Sequence, residues 1–266
     1  MQNVQLLIID PQKDFCNPKG ALFVQGADAD MNRLAAFVNK QQAKLTKIHV
    51  TLDSHHMIDI AHPPFWVNSR GAHPTPFTII SEADMKSGLW VPKIPSLVNR
   101  VAEYLKKLTA NKRYPLCIWP PHCLIGSDGH QVVPELHDAL QSWASARTRT
   151  INYVSKGSNP LTEHYSAVVA DVPDPTDPGT QINIPLIKSL EEADTILLSG
   201  EAGSHCLANT VRDIADKFSS SDYIKKFVLL TDTTSPVTSF EKLQEDFIKD
   251  MTARGMRLAT STTWMD

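Results

Sequence analysis

The chain has 266 residues, with 26 basic and 29 acidic side chains and a formal net charge of -3. That length holds one large α/β domain or two small ones with a sizeable core, and the near balance of charge leaves no footprint for nucleic acid or an anionic membrane, so a small molecule or further copies of the chain are the expected partners. The opening MQNVQLLIIDPQKDF lacks the basic and long apolar regions of a secretory signal, and no apolar run reaches the roughly 20 residues that span a bilayer, so a cytoplasmic protein is expected.

Short β-branched runs alternate with longer amphipathic stretches, the pattern of βαβ units around a parallel sheet. Strands are expected over 4–10 (VQLLIID), 47–53 (KIHVTLD), 150–156 (TINYVSK), 195–201 (TILLSGE), 226–232 (KFVLLTD) and 257–262 (RLATST). Helical spacing appears over 31–45, 95–110, 205–218 and 239–255, and the last run ends in Gly255 as helices often do. About a hundred residues separate the second and third strands, and the loop at 171–181 (DVPDPTDPGTQ) is too rich in Pro, Asp and Gly for regular structure. The expected fold is a single doubly wound α/β domain over 1–266: a mainly parallel six-stranded sheet with helices on both faces and an insertion at about 63–118.

In an open parallel sheet, ligands bind outside the carboxyl ends of the strands. Those ends carry Asp10, Asp53, Lys156 and, after a tight turn, Cys206. Singly each has an ordinary explanation: an Asp forms a turn, a Lys is solvated, a Cys packs in the core. Together they place a carboxylate, an ammonium and a thiol at one sheet edge, which suits nucleophilic acyl transfer. Asp10 would take the thiol proton, and Lys156 and the helix N-terminus would lower the thiol's pKa. The turn EAGSHC offers backbone N–H groups to an oxyanion. Cys16, Cys117 and Cys123 form no CxxC pair and read as reduced thiols that the chemistry does not need. In DSHHMIDIAHPPFW, Asp53 and His55 lie two apart and could share a divalent ion that His122 closes, although a solvated His-rich loop is the alternative.

Taken in order, IIDPQKDF (Asp10, Gln12, Phe15), the DxH of Asp53 and His55, WPPHC (Trp119, His122), VSKG (Lys156), HYSAV (Tyr165) and GEAGSHC (Cys206) resemble the isochorismatase-like cysteine hydrolases. DxH with WPxHC marks the nicotinamidase branch. The resemblance spans nearly the whole chain. It implies a triad of Asp10, Lys156 and Cys206, a thioester intermediate, and a zinc or similar ion on Asp53, His55 and His122. It also implies a cis peptide at Glu201 to Ala202 and an oxyanion hole from the N–H groups of Ala202 and Cys206. Gln12, Phe15, Trp119 and Tyr165 would line the substrate site, with Phe15 and Trp119 flanking a planar ring whose nitrogen meets the metal.

This sequence departs from that pattern in places. Where the family often has a second histidine in the DxH loop, the alignment offers Asp59, with His62 three residues later. Gly203 and Ser204 stand in the turn in place of the commoner Thr and acidic residue. The expected activity is hydrolysis of a small amide, nicotinamide first. The alternatives are another C–N substrate such as a carbamoyl or ureido compound, and a catalytically silent member of the fold; isochorismate cleavage ranks lower because it uses no cysteine nucleophile.

Overall fold

Six parallel strands form one sheet in the computed structural model, which describes residues 2–264. They are β1 (Val4–Ile9), β2 (Leu45–Asp53), β3 (Asn152–Lys156), β4 (Thr195–Gly200), β5 (Phe227–Leu230) and β6 (Arg257–Ala259), one at each expected position, with β2 starting two residues earlier and the others trimmed by a few residues. Central β1 and β4 are buried at every residue, which is why they read as unbroken apolar runs, whereas edge strands β3 and β6 are largely exposed.

The spatial order is β3-β2-β1-β4-β5-β6. Crossovers that start at β1 and at β4 therefore run in opposite directions across the sheet. Because such crossovers are right-handed, the helices fall on opposite faces, and a crevice opens between the ends of β1 and β4. The principal helices are α1 (Ala27–Gln41), α2 (Val98–Ala110), α3 (Pro134–Arg147), α4 (Ile184–Glu191), α5 (Cys206–Lys217) and α6 (Glu241–Ala253). α1 packs on α3, and α5 touches α6.

α1 starts and stops four residues earlier than its apolar spacing suggests. Gly26, in the left-handed region at φ 99°, sets its start, Asp28 and Asp30 in its first turn face the positive end of the helix dipole, and β2 already begins at Leu45. The sequence reading assigns no helix to α3 or α4. Yet α3 has Pro at its start and buries Leu136, Ala139, Leu140 and Trp143 at helical spacing. The insertion contributes two small antiparallel pairs, Trp66–Val67 with Val91–Pro92 and Ile79–Ile80 with Leu116–Cys117. The 171–181 loop is irregular apart from a 3-10 turn at Pro178–Thr180. Among the described residues no helix is long and apolar enough to cross a membrane.

Candidate active site

β1 delivers Asp10 into the crevice with left-handed backbone, φ 43°, which Asp tolerates better than most residues. Thr51 on β2 fixes it, its Oγ1 donating to Asp10 Oδ1 at 2.5 Å and accepting from Asp10 N at 3.0 Å. The register of β2 and β3 sets Asp53 beside Lys156. β4 ends in Gly200, where a Cβ would lie 2.1 Å from the Ile9 carbonyl oxygen, so only glycine lets the chain pass β1 into the turn that leads to Cys206 at the start of α5.

Lys156 is the hub. Its Nζ lies 2.9 Å from Asp10 Oδ2, 3.0 Å from Asp53 Oδ1 and 3.6 Å from Cys206 Sγ, and donates to the His164 carbonyl at 3.1 Å. All four side chains are buried. Burial alone would push the ammonium down, but Asp10, Asp53 and Cys206 outweigh it and hold Lys156 well above its usual range. Burial raises the Asp10 carboxyl, an effect that Lys156 opposes. Burial also drives the Cys206 thiol well up despite Lys156 nearby, because Asp10 and Asp53 add to it. The helix terminus and the lysine therefore do not yield the low-pKa thiol expected from the sequence; burial favours the protonated thiol.

Beside this cluster three imidazoles converge. His55 Nδ1 faces Asp59 Oδ2 at 3.0 Å, His62 Nδ1 faces the His56 carbonyl at 3.1 Å, and His122 Nδ1 faces the Pro120 carbonyl at 2.9 Å. Each acceptor suits an N–H on Nδ1, so each ring, when neutral, keeps a lone pair on Nε2. The ligand nitrogens of His55, His62 and His122 lie within 4.8 Å of one another. Asp53 Oδ2 lies 3.1 Å from His55 Nε2 and 3.5 Å from His122 Nε2, while His62 Nε2 is buried with no partner. Lone pairs aimed at one another and at a carboxylate oxygen repel unless a cation lies among them, so this donor set fits a divalent metal. Burial, aided by His122, presses His62 down to about 4, keeping that ring neutral.

In the turn 201–207 the N–H groups of Gly203, His205 and Leu207 go to the carbonyls of Ser235, Ala202 and Ala202. Those of Ala202 and Cys206 have no acceptor among the described residues, and the Glu201 to Ala202 peptide is cis. The cleft over Cys206 has a free volume of about 30 Å³, and Phe15, Trp119 and Tyr165 line it with Ala202 and His122. Trp119 Nε1 donates to Tyr165 Oη at 3.0 Å.

No family model and no curated relative matches the chain. Solved structures do. The yeast nicotinamidase bound to the inhibitor nicotinaldehyde superposes with a TM-score of 0.66 at 18% identity, over 97% of this chain and 99% of that one. The fold is that of the nicotinamidases. A nicotinamidase/pyrazinamidase from Acinetobacter baumanii gives 0.63 at 20% identity over 98% of each chain. The Pyrococcus horikoshii pyrazinamidase in complex with zinc gives 0.57 at 20% over 97% of this chain and 99% of that one.

Within the nicotinamidase fold, Asp10, Lys156, Cys206, Asp53, His55 and His122 stand together as the sequence reading places them. Gln12 does not face the cleft. Its side chain is bonded to the Asp53 backbone, accepting from N at 2.7 Å and donating to O at 2.7 Å, and also donates to the His130 carbonyl at 3.0 Å. It holds Asp53 from behind. Asp14 of the same motif holds the next segment, accepting the N–H of Cys123, the residue after His122, at 2.7 Å. Asp59 orients His55, and His62 brings the fourth donor atom.

Sequence reasoning missed one cleft carboxylate and two aromatic rings that pack against the cleft's wall residues. Glu163 lies in the wall with Oε2 unpartnered, and burial lifts its carboxyl to about 8. Phe240 sits 4.9 Å from His205 and 6.1 Å from Trp119, and Phe77 lies 5.6 Å from Trp119, ring centre to ring centre. A glutamate in a Pro- and Asn-rich loop and two isolated phenylalanines carry no periodic signal.

Proposed function

We propose that this chain is a metal-dependent cysteine amidohydrolase that cleaves a small aromatic amide, nicotinamide first, to the carboxylate and ammonia. The observation that carries the reading is Lys156 Nζ within 3.6 Å of Asp10, Asp53 and Cys206 at once, because one ammonium there joins a nucleophile, its base and the neighbouring imidazole cluster. The likeness to the nicotinamidase fold supports the substrate class, as do the aromatic walls of the cleft.

Asp10 accepts the Cys206 proton as the sulfur attacks the amide carbon, which explains how a thiol held in its neutral form becomes nucleophilic only in the reaction. The oxyanion that forms takes the N–H groups of Ala202 and Cys206. Asp10 then gives the proton to the departing nitrogen, ammonia leaves, and a thioester on Cys206 remains. Water, deprotonated by Asp10, attacks the thioester and frees the acid and the thiol. Lys156 keeps the negative charge on Asp10 and on sulfur favourable throughout. Asp53, His55, His62 and His122 would hold a divalent ion, most simply zinc, which supplies a Lewis-acid position for a ring nitrogen. Trp119 and Phe15 hold the ring between them.

Alkylation by iodoacetamide with peptide mapping tests the nucleophile. Cys206 is expected to label slowly and to be protected by nicotinaldehyde, an aldehyde that reacts reversibly with a nucleophilic thiol. Labelling of Cys16, Cys117 or Cys123 that the aldehyde blocks, with Cys206 inert, would overturn the assignment.

A further inference from the structure

Glu201 opens the turn that carries Ala202 and Cys206, is fully buried, and takes no part in the reaction described above. Its Oε2 accepts the Ser235 N–H at 2.9 Å, while its Oε1 is buried with no donor to accept from, beside the carboxyl of Asp30 on α1. Asp30 is itself only 2% exposed, and its oxygens accept from Arg33 Nη2 at 2.5 Å and from Ser235 Oγ at 2.6 Å. Two carboxyl groups in contact away from water cannot both be ionised. Arg33 and Ser235 already donate to Asp30, so the shared proton sits on Glu201.

Ser235 closes the ring. Its carbonyl accepts the Gly203 N–H at 2.9 Å, and Gly26 at the head of α1 lies so close that a Cβ there would meet Ser235 Oγ at 3.0 Å. One carboxyl thus ties α1, the segment after β5 and the nucleophile turn together. Besides Asp30 and Arg33 of α1, the titratable neighbour is Cys16 of the short helix Lys13–Cys16, whose thiol burial and then Glu201 hold well up.

We propose that Glu201 is a positioning residue that works as a neutral carboxylic acid: it donates to Asp30 and accepts from Ser235, and so holds the turn that presents the Ala202 N–H and Cys206 to the substrate. The catalytic half of this proposal rests on the amidase reading; the protonated clamp does not.

Burial first, and then the charge of Asp30, hold the Glu201 carboxyl well above the usual range. The unfolded chain releases that proton near pH ~4.3, and the folded chain keeps it to a higher pH. Its stabilising contribution is therefore full below the unfolded value and is lost as pH rises toward the folded one.

Glu201→Gln supplies the same donor and acceptor without a titrating proton. Melting temperatures of the wild type, Glu201→Gln and Glu201→Ala, taken between about pH 5 and pH 9, read the clamp directly. The wild type is expected to lose ground to Glu201→Gln as pH rises. In amide hydrolysis Glu201→Ala is expected to lose roughly 10- to 100-fold in kcat with KM little changed, and Glu201→Gln to restore most of it. Parallel melting profiles for the wild type and Glu201→Gln would overturn the protonated clamp, and an undiminished kcat in Glu201→Ala would overturn the positioning role. Failure of the wild type to hydrolyse any amide would defeat the amidase reading and with it the catalytic half, while the melting profiles still decide the clamp.

Discussion

Three imidazoles that each present a bare nitrogen beside one carboxylate oxygen form an arrangement that a cation relieves and an empty pocket does not. Asp53 serves both halves of the site, Oδ1 toward Lys156 and Oδ2 toward His55 and His122, so it couples the imidazole cluster to the nucleophile. Elemental analysis of the purified protein is expected to find a divalent metal, with His55→Ala, His62→Ala and His122→Ala each stripping it. Asp59→Asn, which loosens the His55 ring without removing a donor atom, is expected to weaken metal affinity by roughly 10- to 100-fold. Full metal content in His62→Ala would return that histidine to a structural role and leave the three-residue set.

In the insertion, Phe77 meets the cleft's Trp119, whereas Phe65 and Trp66 pack inside the segment. Phe65 and Trp66 are buried beneath the loop, and Trp66 Nε1 donates to the Ile60 carbonyl at 2.7 Å, bracing the segment between Asp59 and His62. Phe77 is half exposed, and its ring meets the edge of Trp119. Trp66→Ala is therefore expected to cost about 3–5 kcal/mol of stability. Phe77→Ala is expected to shift the relative rates on nicotinamide and on bulkier aromatic amides with little change in melting temperature. A Phe77 variant with unaltered selectivity would make the insertion a surface addition that leaves the pocket alone. Two-residue strands such as those that frame this insertion have no period to detect, which is why the stretch reads only as a Pro-rich loop and one helix.

At the scale of the whole molecule, the strand order places a switch point between β1 and β4, and the proposed base and nucleophile stand on its two sides. That much was legible in the sequence. Strands buried on both faces appear as continuous apolar runs, and once their ends are located, Asp10, Asp53, Lys156 and Cys206 fall at one edge. Glu163 and the real task of Gln12 were not legible, and His62 stood out only as a neighbour of Asp59, because loop packing and backbone hydrogen bonds set them rather than any periodicity. The thiol's high pKa was hidden for a related reason: the sequence shows the lysine and the helix start but not the burial that outweighs them. The central claim is that this crevice hydrolyses an aromatic amide through Cys206 with a metal beside it. Ammonia release from nicotinamide tests it most directly, measured for the wild type, for the chelator-treated protein with and without added zinc, and for Cys206→Ala. The account predicts release by the wild type, loss on chelation with recovery on zinc, and none from a folded Cys206→Ala; no release by the metal-loaded wild type, or undiminished release by Cys206→Ala, would contradict it.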